Sequence, residues 1–395
     1  MRTKRLLCAM AAGTAVALVA AGCGGGSSAS GGVPDVPMYE GPVGAGEGQV
    51  NILAWPGYVE NGSTDPAVDW VTGFEKETGC KVNVKTFGTS DEAVKLMQEG
   101  GWDVVSASGD ASLRLIYGGN VQPVNTDLVP NYADIFEGLK MQQWNSVNGV
   151  SYGIPHGRGA NLLMWNTDAV TPAPDSWSIV WDANSPAAGS VTAYDSPIYI
   201  ADAALYLMAT QPDLGIKYPY ALDETQFAAA VDLLKQQKGL VGEYWSDYLK
   251  QMDAFKNGTS TVGTTWQVIV NALQGEDAKV DAIKPKEGST GWSDTWMIAK
   301  DTPNLNCAYL WVNHIASPEA NAAVAEWFGE APSNAKSCAL TSNPDHCAIF
   351  HADSEDYWKD VYYWNTPTEA CLDGRTDVKC VPYSEWTKAW SELRA

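Results

Sequence analysis

Histidine is scarce in this 395-residue chain, with only four in all. So few leave little room for catalysis built on imidazole. His156, in Pro-His-Gly, reads as a structural loop residue, and His314, after Trp-Val-Asn, as a half-buried helix residue. Basic residues are also few, 25 Lys+Arg against 47 Asp+Glu, for a net charge of −22. A phosphate backbone repels such a surface, so nucleic-acid binding is excluded. No Gly-x-Ser-x-Gly elbow, His-Glu-x-x-His pair or Gly-x-x-x-x-Gly-Lys-Ser/Thr loop occurs, which removes the common hydrolase, zinc-protease and nucleotide-binding signatures. Among the acids, nothing picks out a pair spaced for glycoside hydrolysis. Internal repeats are absent. The chain does not read as an enzyme, and it calls for no cofactor.

What is present is a large core and an excess of indole. Hydrophobic residues make up 45% and charged residues 18%, a globular composition, and the length fits two or three compact units. Seventeen Trp stand beside seven Phe. Core packing accounts for most single tryptophans, but indole faces also stack on sugars and attract cations, so the excess points to a ligand of one of those kinds.

The N-terminus carries an address. Arg2, Lys4 and Arg5 precede an apolar stretch, Leu6–Ala21, and then Ala-Ala-Gly-Cys at 20–23. This is the layout of a secretory signal, and it is too short for a membrane span. Small residues before Cys23 resemble a bacterial lipoprotein signal, with cleavage leaving Cys23 as the lipid-modified first residue. Ala20 stands where a bulky aliphatic is usual. Residues 1–22 are therefore expected to be removed, and 23–48, rich in Gly, Ser and Pro, to form a flexible tether. The product is an exported lipoprotein on the outer face of the cell membrane, periplasmic or cell-wall side. Six cysteines remain in an oxidising compartment, which allow 15 pairings. Spacing favours two short loops, Cys338–Cys347 and Cys371–Cys380, leaving Cys80–Cys307 as a long-range staple. A metal site with His346 and His351 beside Cys347 is the competing arrangement; no Cys-x-x-Cys accompanies it, and no metal is expected.

From Gln49 the pattern becomes regular. Apolar runs at Gln49–Trp55, Lys81–Phe87 and Trp102–Ala107 read as strands, separated by helical segments ending at Gly79 and covering Ser90–Glu99. Strand–helix–strand with short connections marks a parallel doubly wound sheet. Further on, helices are expected at Ile200–Thr210, Glu224–Gln237, Tyr248–Lys256, Leu305–Ile315, Pro318–Phe328 and Ser384–Leu393. Short strands are expected at Gly189–Tyr194, Thr261–Trp266, Val280–Lys284 and Trp296–Ala299. The sum is two α/β lobes, whose pockets lie outside the carboxyl ends of the strands.

Four segments carry a resemblance. They are Ile52-Leu53-Ala54-Trp55-Pro56-Gly57-Tyr58-Val59-Glu60 with Phe74-Glu75-Lys76-Glu77-Thr78-Gly79-Cys80-Lys81-Val82, then Trp102–Ser108, Thr261–Trp266 and Pro285–Trp296. Over residues 49–336 the chain resembles the extracellular solute-binding proteins of bacterial ABC importers, specifically the spermidine/putrescine-binding branch. The resemblance implies a two-lobed, periplasmic-binding-protein-like (type II) α/β fold with a ligand cleft between the lobes. Lobe 1 is expected at 49–156 and 292–336. Lobe 2 is expected at 157–291 and at 337–395, the last being a disulfide-stapled tail. It further implies a cation held by acids between aromatic walls, delivered to a membrane permease driven by a separate ATPase.

Carried over by position, Trp55 and Tyr58 lie where the first strand ends and should line the cleft, Trp266 and Trp292 resemble the aromatic walls, and Ser108 a polar contact. Asp294 resembles the principal ammonium-binding acid, Asp195 a second acid from the other lobe, and Asn365 a tail amide. The chain departs from the family where Ile198 replaces an acid and where Asp110 and Glu330 replace tyrosines. If Asp110 and Glu330 face the cleft, the site keeps its preference for cations but relocates its negative charge. The expected function is thus a lipid-anchored receptor for a polyamine or similar organic cation. The competing readings are a receptor for a sugar or other neutral solute, and a secreted carbohydrate-active hydrolase.

Overall fold

The computed structural model describes residues 33–395. The expected signal segment, the lipidation site at Cys23 and the tether as far as residue 32 lie outside the described residues. Residues 33–48 are not the free tether that their composition predicts. They lie along the first lobe, where the Glu47 carboxylate accepts from the backbone N–H groups of Asn306 and Cys307, both at 2.9 Å. The Tyr39 ring also packs on Tyr309, at 5.9 Å between centroids.

The chain then builds the first sheet. Strands β1 (Gln49–Ala54), β2 (Lys81–Thr86) and β3 (Val104–Ala107) pair in parallel around a central β1. The intervening helices, Val71–Thr78 and Ser90–Glu99, are bounded by local chemistry. Gly79 closes the first in a left-handed turn (φ 71°), and the Thr89 hydroxyl caps the second by accepting from Glu92 N–H. A third helix, Gly109–Tyr117, follows β3 directly. After a two-residue hairpin, β4 (Ser146–Val147) with β5 (Val150–Ser151), strand β6 (Ile154–Ala160) rejoins the first sheet.

The second sheet consists of β7 (Leu162–Asn166), β8 (Val191–Tyr194), β9 (Val241–Trp245), β10 (Val262–Thr265) and β11 (Val280–Ile283), in the order β11-β7-β10-β8-β9. The chain then returns. β12 (Ser289–Ile298), β13 (Ala331–Pro332) and β14 (Val361–Tyr363) complete a seven-stranded first sheet, ordered β13-β6-β12-β3-β1-β2 with β14 beside β12. Every residue of β12 is buried, because it is central and flanked on both edges. The C-terminal helix Tyr383–Arg394 packs on the second lobe, through Trp386 against Phe227 and the Lys238 ammonium on the Leu393 carbonyl.

The observed crossings shift the expected lobe boundaries. Residues 157–160 belong to β6 and 289–291 to β12, so the chain leaves the first sheet after Ala160 and returns before Ser289. The tail after residue 337 divides between lobes, since β14 pairs with β12, while the Cys371–Cys380 segment, through Arg375 on Asp223 and the Ala221 carbonyl, and the terminal helix join the second lobe. His156, expected in a loop, sits on β6. The six cysteines form Cys80–Cys307, Cys338–Cys347 and Cys371–Cys380. Five tryptophans (Trp181, Trp245, Trp296, Trp311 and Trp386) are wholly interior, so much of the indole excess is core.

Candidate functional site

In parallel arrangements a crevice opens where strands deliver their carboxyl ends. Here both sheets do so toward one another. Trp55 follows β1, Ser108 follows β3, Tyr194 ends β8, Ser246 follows β9 and Trp266 follows β10. The lobes meet across this seam. The Tyr194 hydroxyl of the second lobe donates to the Gly88 carbonyl of the first at 3.3 Å, and the Trp55 and Trp266 rings meet edge-on at 5.9 Å. Tyr194 also stacks on Trp364, with 8° between planes and 5.6 Å between centroids.

At the centre lies Asp294, only 3% exposed. Its strand slips register between Asp294 and Thr295 against β6, a bulge of the kind that re-aims a side chain. One carboxylate oxygen accepts from the Tyr58 hydroxyl at 2.8 Å and the other from the Ser108 hydroxyl. Glu330, fully buried, approaches the same Tyr58 hydroxyl at 3.4 Å. Burial raises the Asp294 pKa to about 6 despite both hydroxyl donors. Burial, then repulsion from Asp294, holds Glu330 well above the ordinary carboxylate range.

Space for these groups comes from β6. Gly157 stands opposite Asp294 and Gly159 opposite Trp292. A Cβ on Gly157 would lie 2.5 Å from the Glu330 carboxyl carbon, and one on Gly159 would fall on the Trp292 ring. Just before them on β6, His156 faces Glu330 with Nε2, 3.3 Å from Oε1. Its Nδ1 accepts from the Trp296 indole N–H at 2.9 Å, and indole only donates, so the neutral ring carries its proton on Nε2, toward Glu330. Burial alone pushes the His156 pKa down to about 3. Among the described residues no cation therefore balances Asp294 and Glu330.

The remaining expected residues fall in two groups. Trp55, Tyr58, Ser108, Trp266, Trp292, Asp294 and Glu330 line or underlie the seam; the Trp292 indole N–H is buried without a partner, against Phe328. Asp110, two residues past Ser108, is fully buried and accepts from the Ser90 hydroxyl at 2.7 Å. Asn365 is buried with long contacts, 3.4 Å each, to Gln143 and Tyr218. Asp195 has other partners. Its carboxylate accepts from Arg394 Nε at 3.0 Å, Arg394 Nη2 at 3.3 Å and the Trp390 indole at 3.1 Å, all from the C-terminal helix. It therefore stands apart from the Asp294 group. Sequence reasoning missed His156, Tyr194, Trp364 and Phe328. Tyr194 was within reach, as the last residue of a strand whose carboxyl end faces the crevice. His156 was flagged only by the glycines alternating beyond it.

Two α/β lobes meeting over a buried acidic and aromatic centre are the build of a ligand-binding protein. The model of bacterial extracellular solute-binding proteins matches residues 69–351, and the chain belongs to that family. It is 25% identical over 363 residues to the putrescine-binding periplasmic protein SpuD of Pseudomonas aeruginosa, covering 88% of this chain and 92% of that one. It is 24% identical over 262 residues to the spermidine/putrescine-binding periplasmic protein of Escherichia coli, covering 65% and 71%. Among solved structures it is similar to the spermidine/putrescine ABC transporter substrate-binding protein PotD of Streptococcus pneumoniae. That match has a TM-score of 0.66 at 20% identity and covers 88% and 97%. No helix among the described residues is long and apolar enough to cross a membrane.

Proposed function

We propose that this protein captures a polyamine or closely related organic cation outside the cell and hands it to an ABC permease, with an ATPase as a separate chain. The observation that carries the reading is Asp294, a buried carboxylate with two hydroxyl donors and no cation partner among the described residues. A buried charge without a counter-charge is costly, and an ammonium ion supplies that counter-charge. Trp55, Tyr58, Trp266 and Trp292 offer the aromatic faces that favour alkylammonium chains. In this reading Asp294 holds an ammonium, Tyr58 and Ser108 orient the carboxylate, and Glu330 backs the Tyr58 hydroxyl from behind. The role is binding, not catalysis. Cys23 would carry the lipid that keeps the receptor at the membrane.

The test is a thermal-shift screen of the chain from Gly24 onward against putrescine, spermidine, choline and a panel of neutral sugars. A ligand at 100 times its dissociation constant adds about 2.7 kcal/mol, a shift of a few degrees. A shift with amines is expected. A shift with sugars alone would overturn the cation reading.

A further inference from the structure

We infer that Asp110 is the anchor for a second ammonium group, so that both ends of a linear diamine are held by the first lobe. This rests on the cation reading above and deepens it by naming where the second charge goes. Asp110 lies in the first turn of the helix Gly109–Tyr117, two residues past Ser108, whose hydroxyl is on Asp294. Cα atoms two residues apart are at most about 7.6 Å from one another, so Asp110 starts close to the serine that bonds Asp294, and Tyr194 lies near enough to feel the charges of both acids.

Asp110 is 0% exposed, and only one of its oxygens is used. Oδ1 accepts from Ser90, while Oδ2 is buried with no partner. An unpaired buried carboxylate oxygen costs more than almost any other polar defect, and a bound donor removes the cost. Arg114, whose charge reaches Asp110, gives its hydrogen-bonding atoms to others, since Nη1 sits 2.7 Å from Asp91 and its guanidinium lies over the Tyr383 ring at 4.6 Å. Across the seam stands Tyr194, whose hydroxyl is raised well above its ordinary pKa by burial and then by the negative charges of Asp110, Asp91 and Asp294. Tyr194 and its stacking partner Trp364 thus form an aromatic wall beside both acids.

The second lobe's acids near the seam have other partners: Asp195 is clamped by Arg394 and Trp390, and Asp202, buried on the helix Ile200–Thr210, accepts from the Thr290 hydroxyl at 3.0 Å, while Ile198 carries no charge. Asp294 and Asp110 come from the first lobe, and Tyr194 from the second faces both.

The experiment is calorimetric titration of putrescine and 1-aminobutane into the unaltered protein and the Asp110→Asn and Asp294→Asn variants. The unaltered protein should prefer the diamine at least tenfold. Asp110→Asn should weaken putrescine ten- to hundredfold, leave 1-aminobutane within about twofold and so erase the preference, whereas Asp294→Asn should weaken both. If Asp294→Asn weakens both but Asp110→Asn keeps the preference, the cation site stands and Asp110 is not its second anchor. If the unaltered protein binds neither amine, the cation reading fails and takes this inference with it. Asp110→Ser, which keeps a hydroxyl toward Ser90, replaces Asp110→Asn should that variant not fold.

Discussion

Replacing Asp294 by Asn removes a charge while keeping the side chain's shape. Two consequences of opposite sign follow. The ligand loses a charge-assisted hydrogen bond in a site shielded from water, worth about 1.5–3 kcal/mol, which is a ten- to hundredfold weaker dissociation constant. The empty protein gains. Asp294 has its pKa raised from 3.8 to about 6 by burial, so keeping it ionised at pH 8 costs on the order of 3 kcal/mol. Asn has no such cost, and the Tyr58 and Ser108 hydroxyls can turn to satisfy its amide. The variant should therefore bind putrescine at least tenfold more weakly while unfolding at equal or higher denaturant at pH 8. Titration calorimetry and guanidinium unfolding read the two effects separately. A folded variant with unchanged affinity would refute the placement of Asp294 in the site. A loss of more than about 2 kcal/mol in the empty protein would show that its carboxylate serves the fold instead.

The same raised acids set a pH dependence. Burial lifts Asp294 to about 6, and Asp110 and Asp202 to about 7, all from 3.8. Between about pH 4 and 7 the folded state therefore holds more protons than the unfolded chain, and stability falls as pH rises through that window. The empty protein should unfold at higher denaturant at pH 5 than at pH 8; the reverse order would contradict the burial of unpaired acids. Cation affinity should run the other way, weakening below about pH 6 as the carboxylates take up protons. Closure should be sensitive at Gly88, where a Cβ would lie 2.7 Å from the Ser246 carbonyl of the other lobe. Gly88→Ala is expected to reduce affinity roughly tenfold, a strain of about 1–3 kcal/mol on the closed form, with the empty protein's melting point unchanged; equal affinity would mean the lobes do not meet there when ligand is bound. The Cys80–Cys307 disulfide closes a separation of 227 residues, against nine for each of the others. Chain entropy puts its removal at about 5 kcal/mol and theirs at about 3 each, so unfolding of the Cys80→Ser/Cys307→Ser protein should show the largest loss of the three.

Local features were legible where a few adjacent residues decide them. The helix Glu224–Gln237 matches its expected span because Asp223 and Gln226 form a capping box at its start. The helix Gly109–Tyr117 went unread, since Gly109, Asp110 and Ser112 look like a turn; burial of Leu113, Leu115 and Ile116 makes it a helix. In β12 only Trp296 onward read as strand, because Ser, Thr, Gly and Asp fill the first half. Those residues are tolerated there because neighbours on both sides satisfy and bury them.

The sequence by itself determined the export-type N-terminus, the even set of cysteines, the alternation of strand and helix, and the aromatic and acidic candidates near strand ends. Each is written in short-range spacing, in caps, or in composition. Only the tertiary structure decided which charges meet. Tyr58 joins Asp294, 236 residues away in sequence, to Glu330, 272 away. Asp195 is claimed by Arg394, 199 residues on, and Asp110 is left with one oxygen free. An acid's role depends on the counter-charge and solvent it is given. Both are set by packing between distant segments, which no local pattern encodes.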